Sequence, residues 1–315
     1  MEKSIYSIFI IAINVGFFLW FAACSPKKPF SQPVSGLSYK STVSKKFDHS
    51  HSKFDLLLKK YVCDGWVDYK GIISDKMLFY EYVNAIGNVE ATRYKNWTQE
   101  QKLAFWINAY NAFTIQAVIE RYPIKERSLI GLFYPRNSIL QISGIWSRLK
   151  FKAVRQYVTL GHIEHDILRK SFNEPRIHFA IVCASRSCPD LRGEAYRADI
   201  LEIQLNDQTR QFIDNSQKGV RWDTGRQILY ISKIFKWFKE DFKKQNTATT
   251  LSIESPMLNK PVIRFIDFYI KDESLKSIIA GDQHLKMSYL HYDWRLNDQA
   301  EKPSNNIQKN SDNND

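Results

Sequence analysis

The pattern of apolar and polar residues predicts a mainly helical chain with a few short strands. Apolar residues recur at helical spacing in residues 54–61, 76–86, 98–121, 159–172, 194–214 and 233–244. Alternating or β-rich stretches predict strands at residues 66–69, 146–154, 176–184, 220–222, 228–231 and 288–294. The predicted fold class is therefore α+β, with a mainly helical single domain and a modest, mostly antiparallel sheet.

The helix predicted at residues 98–121 has the clearest boundaries. Thr98 and Gln101 fit a capping box at its start, and Pro123 follows its end. Its residues are apolar on nearly all sides, which is typical of a buried helix. Asn108 and Asn111 would then be polar groups in the interior that need hydrogen bonds. They are either structural clamps or parts of a site.

The first 24 residues form a signal sequence or a membrane anchor. Lys3 precedes an apolar run over residues 5–23, and that run ends in Phe-Ala-Ala before Cys24. This ending resembles the lipobox of bacterial lipoproteins, in which Cys24 would become the lipidated N-terminus. The run is also long enough to span a bilayer uncleaved, which takes roughly 20 residues.

Both interpretations predict an extracytoplasmic, membrane-anchored protein, because the positive residue lies before the apolar run. Ser25 is not the Asp that often retains lipoproteins at the inner membrane. By resemblance to those sorting signals, we expect the outer membrane or the periplasmic side if the organism is diderm.

Composition divides the rest of the chain into three parts. Residues 25–53 are rich in Ser, Lys and Pro and predict a flexible tether. Residues 54–297 carry the predicted globular domain. Residues 298–315 are mostly polar and predict a disordered tail.

The net charge of +12 and the pI of about 9.3 favour anionic partners. Outside the cytoplasm such partners are lipid headgroups, lipopolysaccharide or cell-wall polymers, so we expect no nucleic acid. The predicted partner is a cell-wall polymer or a peptide. The alternative interpretation of the charge is a basic surface that is simply solvated.

Five segments resemble the bacterial family called domain of unknown function 547. They are FWINAYNA (105–112), IEHDILR (163–169), RIHFAIVCASRSCPDLR (176–192), FKWFKEDF (235–242) and YLHYDWRLN (289–297). The resemblance covers nearly the whole predicted domain. It implies an α+β domain, often in exported proteins, and no settled activity.

One function hypothesis is a cell-envelope thiol hydrolase or acyl/amide transferase. Cys188 precedes Pro189, a favoured first helical residue, so its thiol would lie at a helix cap that lowers its pKa. His178 or His165 would act as the base, and Glu164 or Asn108 would orient that base. These five residues are the candidate catalytic set.

The other hypothesis is a non-catalytic envelope module that binds a polymer, a peptide or a partner protein. Cys183 and Cys188 are five residues apart across a predicted turn, so a disulfide would serve as a staple there. His178 would then be a hydrogen-bonded core histidine. A third interpretation is that both cysteines are buried, inert thiols.

Cofactor chemistry has little support in the sequence. Glu164, His165, His178 and Cys188 are acceptable zinc ligands, yet their spacing fits none of the standard zinc motifs. Phosphate-loop and dinucleotide fingerprints are also absent. We therefore expect no cofactor and no metal.

The segment KIFKWFKEDFKK (233–244) predicts an amphipathic helix with lysines on one side. Such a helix either lies on an anionic membrane or packs its apolar side into the core. Trp237 fits the apolar stripe least well.

Overall fold

The computed structural model describes residues 46–125, 133–244, 260–281 and 285–303. The predicted signal sequence, the lipidation candidate Cys24, most of the predicted tether and the end of the tail lie outside the described residues. Within those ranges, no helix combines the length and the apolar character that crossing a membrane requires.

The predicted fold class is confirmed, since helices dominate and the sheets are small. The longer α-helices are Ser52–Tyr61, Tyr69–Ser74, Lys76–Gly87, Gln99–Ile119, Leu201–Ile213, Lys239–Lys244, Pro261–Tyr269 and Glu273–Gly281. A π-helix covers His162–Leu168. Shorter helical turns lie at Ala91–Lys95, Ile139–Gln141, Arg169–Ser171, Ile177–Ala180, Lys233–Trp237 and Gln299–Glu301.

The strands form three small sheets in the described part of the chain. Val62–Cys63 pairs with Trp66–Val67, and Phe151–Ala153 pairs with Gln156–Val158, both antiparallel. In the third sheet Ile228–Ile231 is central, antiparallel to Val220–Asp223 and parallel to Lys286–Tyr289.

The helix Gln99–Ile119, called the central helix below, organises the larger hydrophobic cluster. The capping box predicted for Thr98 and Gln101 is present. Every residue from Leu103 to Ile115 is buried, as expected for a helix that is apolar on all sides. A second cluster lies between the three-stranded sheet and the helix Pro261–Tyr269, and Phe179, Phe235 and Phe242 belong to it.

Two predicted elements around the central helix are wrong. Residues 176–184 form the helical turn Ile177–Ala180 and then irregular chain, not a strand. The helix predicted from residue 194 begins only at Leu201. In both stretches side chains take up the backbone hydrogen bonds that a strand or helix would have used. Asn111 binds the backbone on either side of Ile181, and Gln204 binds Ala195 and Arg197.

The predicted helix at residues 233–244 is interrupted at Phe238, whose backbone leaves helical geometry with φ −113° and ψ 25°. Its apolar side chains Ile234, Phe235 and Phe242 are buried, so this segment faces the core. The predicted last strand also differs: pairing ends at Tyr289, and the chain continues to residue 297 without a regular partner.

The folded region extends beyond residues 54–297 at both ends. Phe47 packs its ring 5.3 Å from those of Trp97 and Phe105. His51 is buried and bonds the hydroxyl of Tyr82 at 2.7 Å. At the other end, Asp298 is buried and accepts a hydrogen bond from Tyr122 at 2.8 Å. The polar composition of these end segments predicts exposure, so the sequence pattern does not predict the contacts. Polar residues such as His51 and Asp298 can be buried here because hydrogen bonds satisfy them.

Candidate functional site

Two asparagines of the central helix hold irregular chain segments against it. Asn108 donates to the carbonyl of Tyr196 at 2.7 Å and accepts from the Tyr196 N–H at 3.0 Å. Asn111 does the same one turn later, with the Ala180 carbonyl at 3.0 Å and the Val182 N–H at 2.9 Å. Both side chains are buried. Each therefore acts as a clamp for backbone that has no strand partner at that point.

Glu164 and His165 lie next to each other on the π-helix His162–Leu168 and face different neighbours. The Glu164 carboxylate is buried and accepts a hydrogen bond from Tyr110 of the central helix at 3.4 Å. His165 instead accepts through Nδ1 from Arg169, one turn later, at 3.0 Å. π-Helical turns are rare, and they occur frequently at functional sites.

Burial raises the pKa of Glu164 to about 7, even though Arg169 and the Tyr110 hydrogen bond act in the opposite direction. The negative charge of Asp241 adds to the increase. Near neutral pH this carboxyl group therefore exchanges its proton readily. That property suits a general acid or base.

Arg169 and Asp241 form the charged centre of the site. Arg169 Nε lies 2.5 Å from Asp241 Oδ2, and Arg169 Nη2 lies 3.2 Å from Asp241 Oδ1. The ring of His178 donates to the same Asp241 oxygen through Nε2 at 2.8 Å. Burial alone would raise the pKa of Asp241, but the hydrogen bonds from His178 and Arg169 hold it well below its usual value. Asp241 is therefore ionised throughout the neutral range.

Phe238, where the helix at residues 233–244 is interrupted, contacts two members of the charged centre. Its ring stacks on His178 with 3.9 Å between ring centroids and 18° between planes. The Arg169 guanidinium lies on the ring as well, 5.2 Å from its centroid. Both contacts are favourable for an aromatic face. They place Asp241, three residues later, against Arg169 and His178.

Burial favours the neutral form of both histidines in this network. Burial and, to a smaller extent, the charge of Arg169 lower the pKa of His165 to about 4. Burial also lowers the pKa of His178, against the opposing effect of Asp241. Because a carboxylate only accepts, the proton of His178 lies on Nε2, and its Nδ1 is a buried acceptor with no partner among the described residues.

Cys183 and Cys188 form a disulfide with 6.2 Å between their Cα atoms. Cys188 is buried, and its sulfur accepts a hydrogen bond from the Cys183 N–H at 3.0 Å. The hydroxyl of Tyr292 lies 3.5 Å from that sulfur and 3.3 Å from Ser185 Oγ. The negative charge of Glu164 also acts on Tyr292, whose pKa is raised mainly by burial.

The structure therefore connects four of the five candidate residues and separates the fifth. Cys188 contacts Tyr292, which is electrostatically coupled to Glu164, and Glu164 is coupled to Arg169 and Asp241. His165 and His178 bind those last two residues. Neither histidine, however, is hydrogen-bonded to Cys188. Asn108 is occupied by the backbone of Tyr196.

Four residues of this network were not among the sequence candidates: Tyr110, Arg169, Asp241 and Tyr292. All four lie inside the segments that carry the family resemblance. The five segments therefore indicate where the residues of this network lie in the sequence, whereas spacing rules for nucleophiles and metal ligands do not.

An open cleft lies against the charged centre and is lined by Arg169, Phe172, Asn173, Glu174, Pro175, Ile177 and Asp241. Within the described ranges, no three His, Cys, Asp or Glu side chains are arranged to hold a metal ion.

Residues 94–213 match the family described as "Protein of unknown function, DUF547". The match confirms the resemblance for this region. The matched region includes the central helix, the π-helix and the disulfide, whereas Asp241 and Tyr292 lie beyond it. No curated protein and no solved structure matches the chain.

Proposed function

We propose that this protein is an exported, membrane-tethered envelope module that binds a ligand without transforming it. In this proposal Cys183–Cys188 is a structural disulfide, and the polar network around Asp241 holds the fold together. The apolar N-terminal run and the lipobox-like ending at Cys24 support the export and the tether.

The state of Cys188 carries the proposal. A thiol enzyme needs an accessible thiolate and a base within hydrogen-bond reach. Cys188 is 4% exposed, and its sulfur is bonded to Cys183. His178 uses its protonated nitrogen for Asp241 and stacks on Phe238. A disulfide also fits an oxidising compartment outside the cytoplasm.

Alkylation of the purified full chain with iodoacetamide, followed by mass spectrometry, tests this proposal. Cys63 is exposed and free, so it reports that the reagent works. Without reduction we expect label on Cys63, none on Cys188, and a linked peptide that contains Cys183 and Cys188. A Cys188 that labels without reduction would overturn the proposal.

The thiol hydrolase or transferase remains a second candidate, favoured by the hydrogen bonds that reach Cys188. The Cys183 N–H and the Tyr292 hydroxyl both donate toward its sulfur, and donors of this kind stabilise a thiolate. Glu164, with its pKa of about 7, would then supply the acid or base.

The same labelling after reduction, across a pH series, separates the two candidates. An enzyme requires the apparent pKa of Cys188 to lie well below the reference value of about 8.5. It also requires Tyr292→Phe to raise that pKa, because the variant removes one donor. For a structural disulfide we expect burial to raise the pKa of Cys188 instead.

A further inference from the structure

Three half-buried tryptophans form one continuous aromatic surface beside the disulfide. Trp237 and Trp294 stack with 5.9 Å between ring centroids and 28° between planes. Trp146 meets Trp294 edge-on at 6.3 Å. The ring of the buried Tyr292 contacts both, with its centroid 4.8 Å from that of Trp237 and 4.6 Å from that of Trp294. We call Trp146, Trp237 and Trp294 the tryptophan surface.

The indole N–H groups of this surface remain available to a ligand. In the described part of the chain, none of the three donates to a protein acceptor, whereas Trp106 donates to Tyr94 at 2.7 Å. None of the three nitrogens is among the buried polar atoms without a partner. They therefore face water, because a buried indole N–H usually finds an acceptor.

Two exposed basic residues adjoin members of this surface in the sequence. Lys236, next to Trp237, is exposed and lies 5.3 Å from the ring of Tyr289. Arg148, two residues after Trp146 in the chain, is exposed as well and donates to Ser143 Oγ at 2.7 Å. Neither forms an ion pair with an acid among the described residues. The nearby acid Asp293 is held by Arg295 at 2.5 Å, so its charge is offset.

We propose that the tryptophan surface binds an acidic glycan, with sugar rings packing against the exposed parts of the indoles and anionic groups near Lys236 and Arg148. Indole faces suit the C–H faces of sugars, and the N–H groups suit sugar hydroxyls. The net charge of +12 complements an acidic polymer. This assignment rests on the proposed function and names the ligand class of the envelope module.

A membrane surface fits the same side chains less well. Insertion into lipid requires aromatic side chains that protrude, but each of the three indoles is only partly exposed. Because Tyr292 joins the surface to the disulfide, Cys183–Cys188 would also keep the surface in place.

Calorimetric titration of the full chain with two acidic glycans, polygalacturonate and phosphomannan, tests the assignment. Neutral dextran and phosphatidylglycerol vesicles are the comparison ligands. We expect binding to at least one acidic glycan, weakened by salt, and much weaker binding to dextran. The double variant Trp237→Phe/Trp294→Phe keeps aromatic rings but removes two donors, so we expect about tenfold weaker glycan binding.

Trp222→Phe is the matched control, because Trp222 is half-buried on the strand Val220–Asp223, outside the tryptophan surface, and its replacement should leave glycan binding unchanged. The assignment is wrong if neither acidic glycan binds, if dextran binds equally well, if only the vesicles bind, or if the double variant keeps its affinity. Each of these results is independent of the Cys188 labelling, so failure here can be told apart from failure of the proposed function.

Discussion

His178 and Asp241 form a buried hydrogen bond of 2.8 Å, and the same carboxylate also binds Arg169. A similar arrangement of an aspartate with a histidine and a basic residue lies exposed at the surface. There Asp166 accepts from His162 at 3.2 Å and from Lys170 at 2.7 Å. The two aspartates have similar partners but differ in side-chain exposure, 11% for Asp241 and 46% for Asp166.

We expect Asp241→Asn to lower the free energy of unfolding by about 2 kcal/mol or more, because it leaves Arg169 and His178 without their carboxylate. The exposed Asp166→Asn should cost less than about 1 kcal/mol, since water screens that group. Urea unfolding of both variants at pH 7 measures the difference. Equal losses would show that the Asp241 network does not stabilise the fold.

Asn111→Ala should lower the free energy of unfolding by about 3 kcal/mol, because the Ala180 carbonyl and the Val182 N–H would stay buried without partners. The control is Asn84→Ala on the exposed side of the helix Lys76–Gly87, with an expected change within about 0.5 kcal/mol. Chemical denaturation compares the two. A similar small effect for both would remove the clamp role of Asn111.

Asn108 and Asn111 also show which features of the fold the sequence pattern predicts and which it does not. The central helix was predictable from Thr98, Gln101 and its apolar run, because capping and burial are local properties. That Asn108 and Asn111 would be buried and bonded followed as well. The sequence pattern does not predict which backbone segments these asparagines bind, because Tyr196 lies 88 residues from Asn108 and Ala180 lies 69 residues from Asn111.

The candidate site was predictable in composition and unpredictable in geometry. Glu164, His165 and His178 do share one network, but Arg169 and Asp241 connect them. Asp241 reaches His178 from 63 residues away. The β-rich pattern at residues 176–184 also predicted a strand, yet the bonds made by Asn111 take the place of strand pairing there. Tertiary contacts of this kind override local propensity.

Loss of the disulfide should lower the free energy of unfolding by about 2 kcal/mol, the loop-closure entropy of so short a loop. Cys183→Ala/Cys188→Ala tests this in a Cys63→Ser background, where no other described thiol complicates the comparison. Reducing agent should destabilise the Cys63→Ser protein by a similar amount and leave the triple variant unchanged. An effect of the reductant on the triple variant would show that the reductant destabilises the protein by a route other than the Cys183–Cys188 disulfide.

Glu164 should make stability depend on pH in one defined window. Its pKa is about 7 in the folded protein and ordinarily 4.5, so between these values the folded chain holds a proton that the unfolded chain has released. Stability therefore falls as pH rises from 4.5 to 7 and shows no further loss from this group above 7. Glu164→Gln cannot ionise, and Gln resembles the protonated acid in shape and charge.

We expect Glu164→Gln to match the wild type in free energy of unfolding near pH 4.5 and to exceed it by up to roughly 3 kcal/mol at pH 8. The exposed Glu240→Gln serves as the control and should show no such growth with pH. Urea unfolding at several pH values measures both. A variant that is less stable than the wild type at pH 8 would mean that the ionised Glu164 stabilises the site, which contradicts burial as the dominant effect on its pKa.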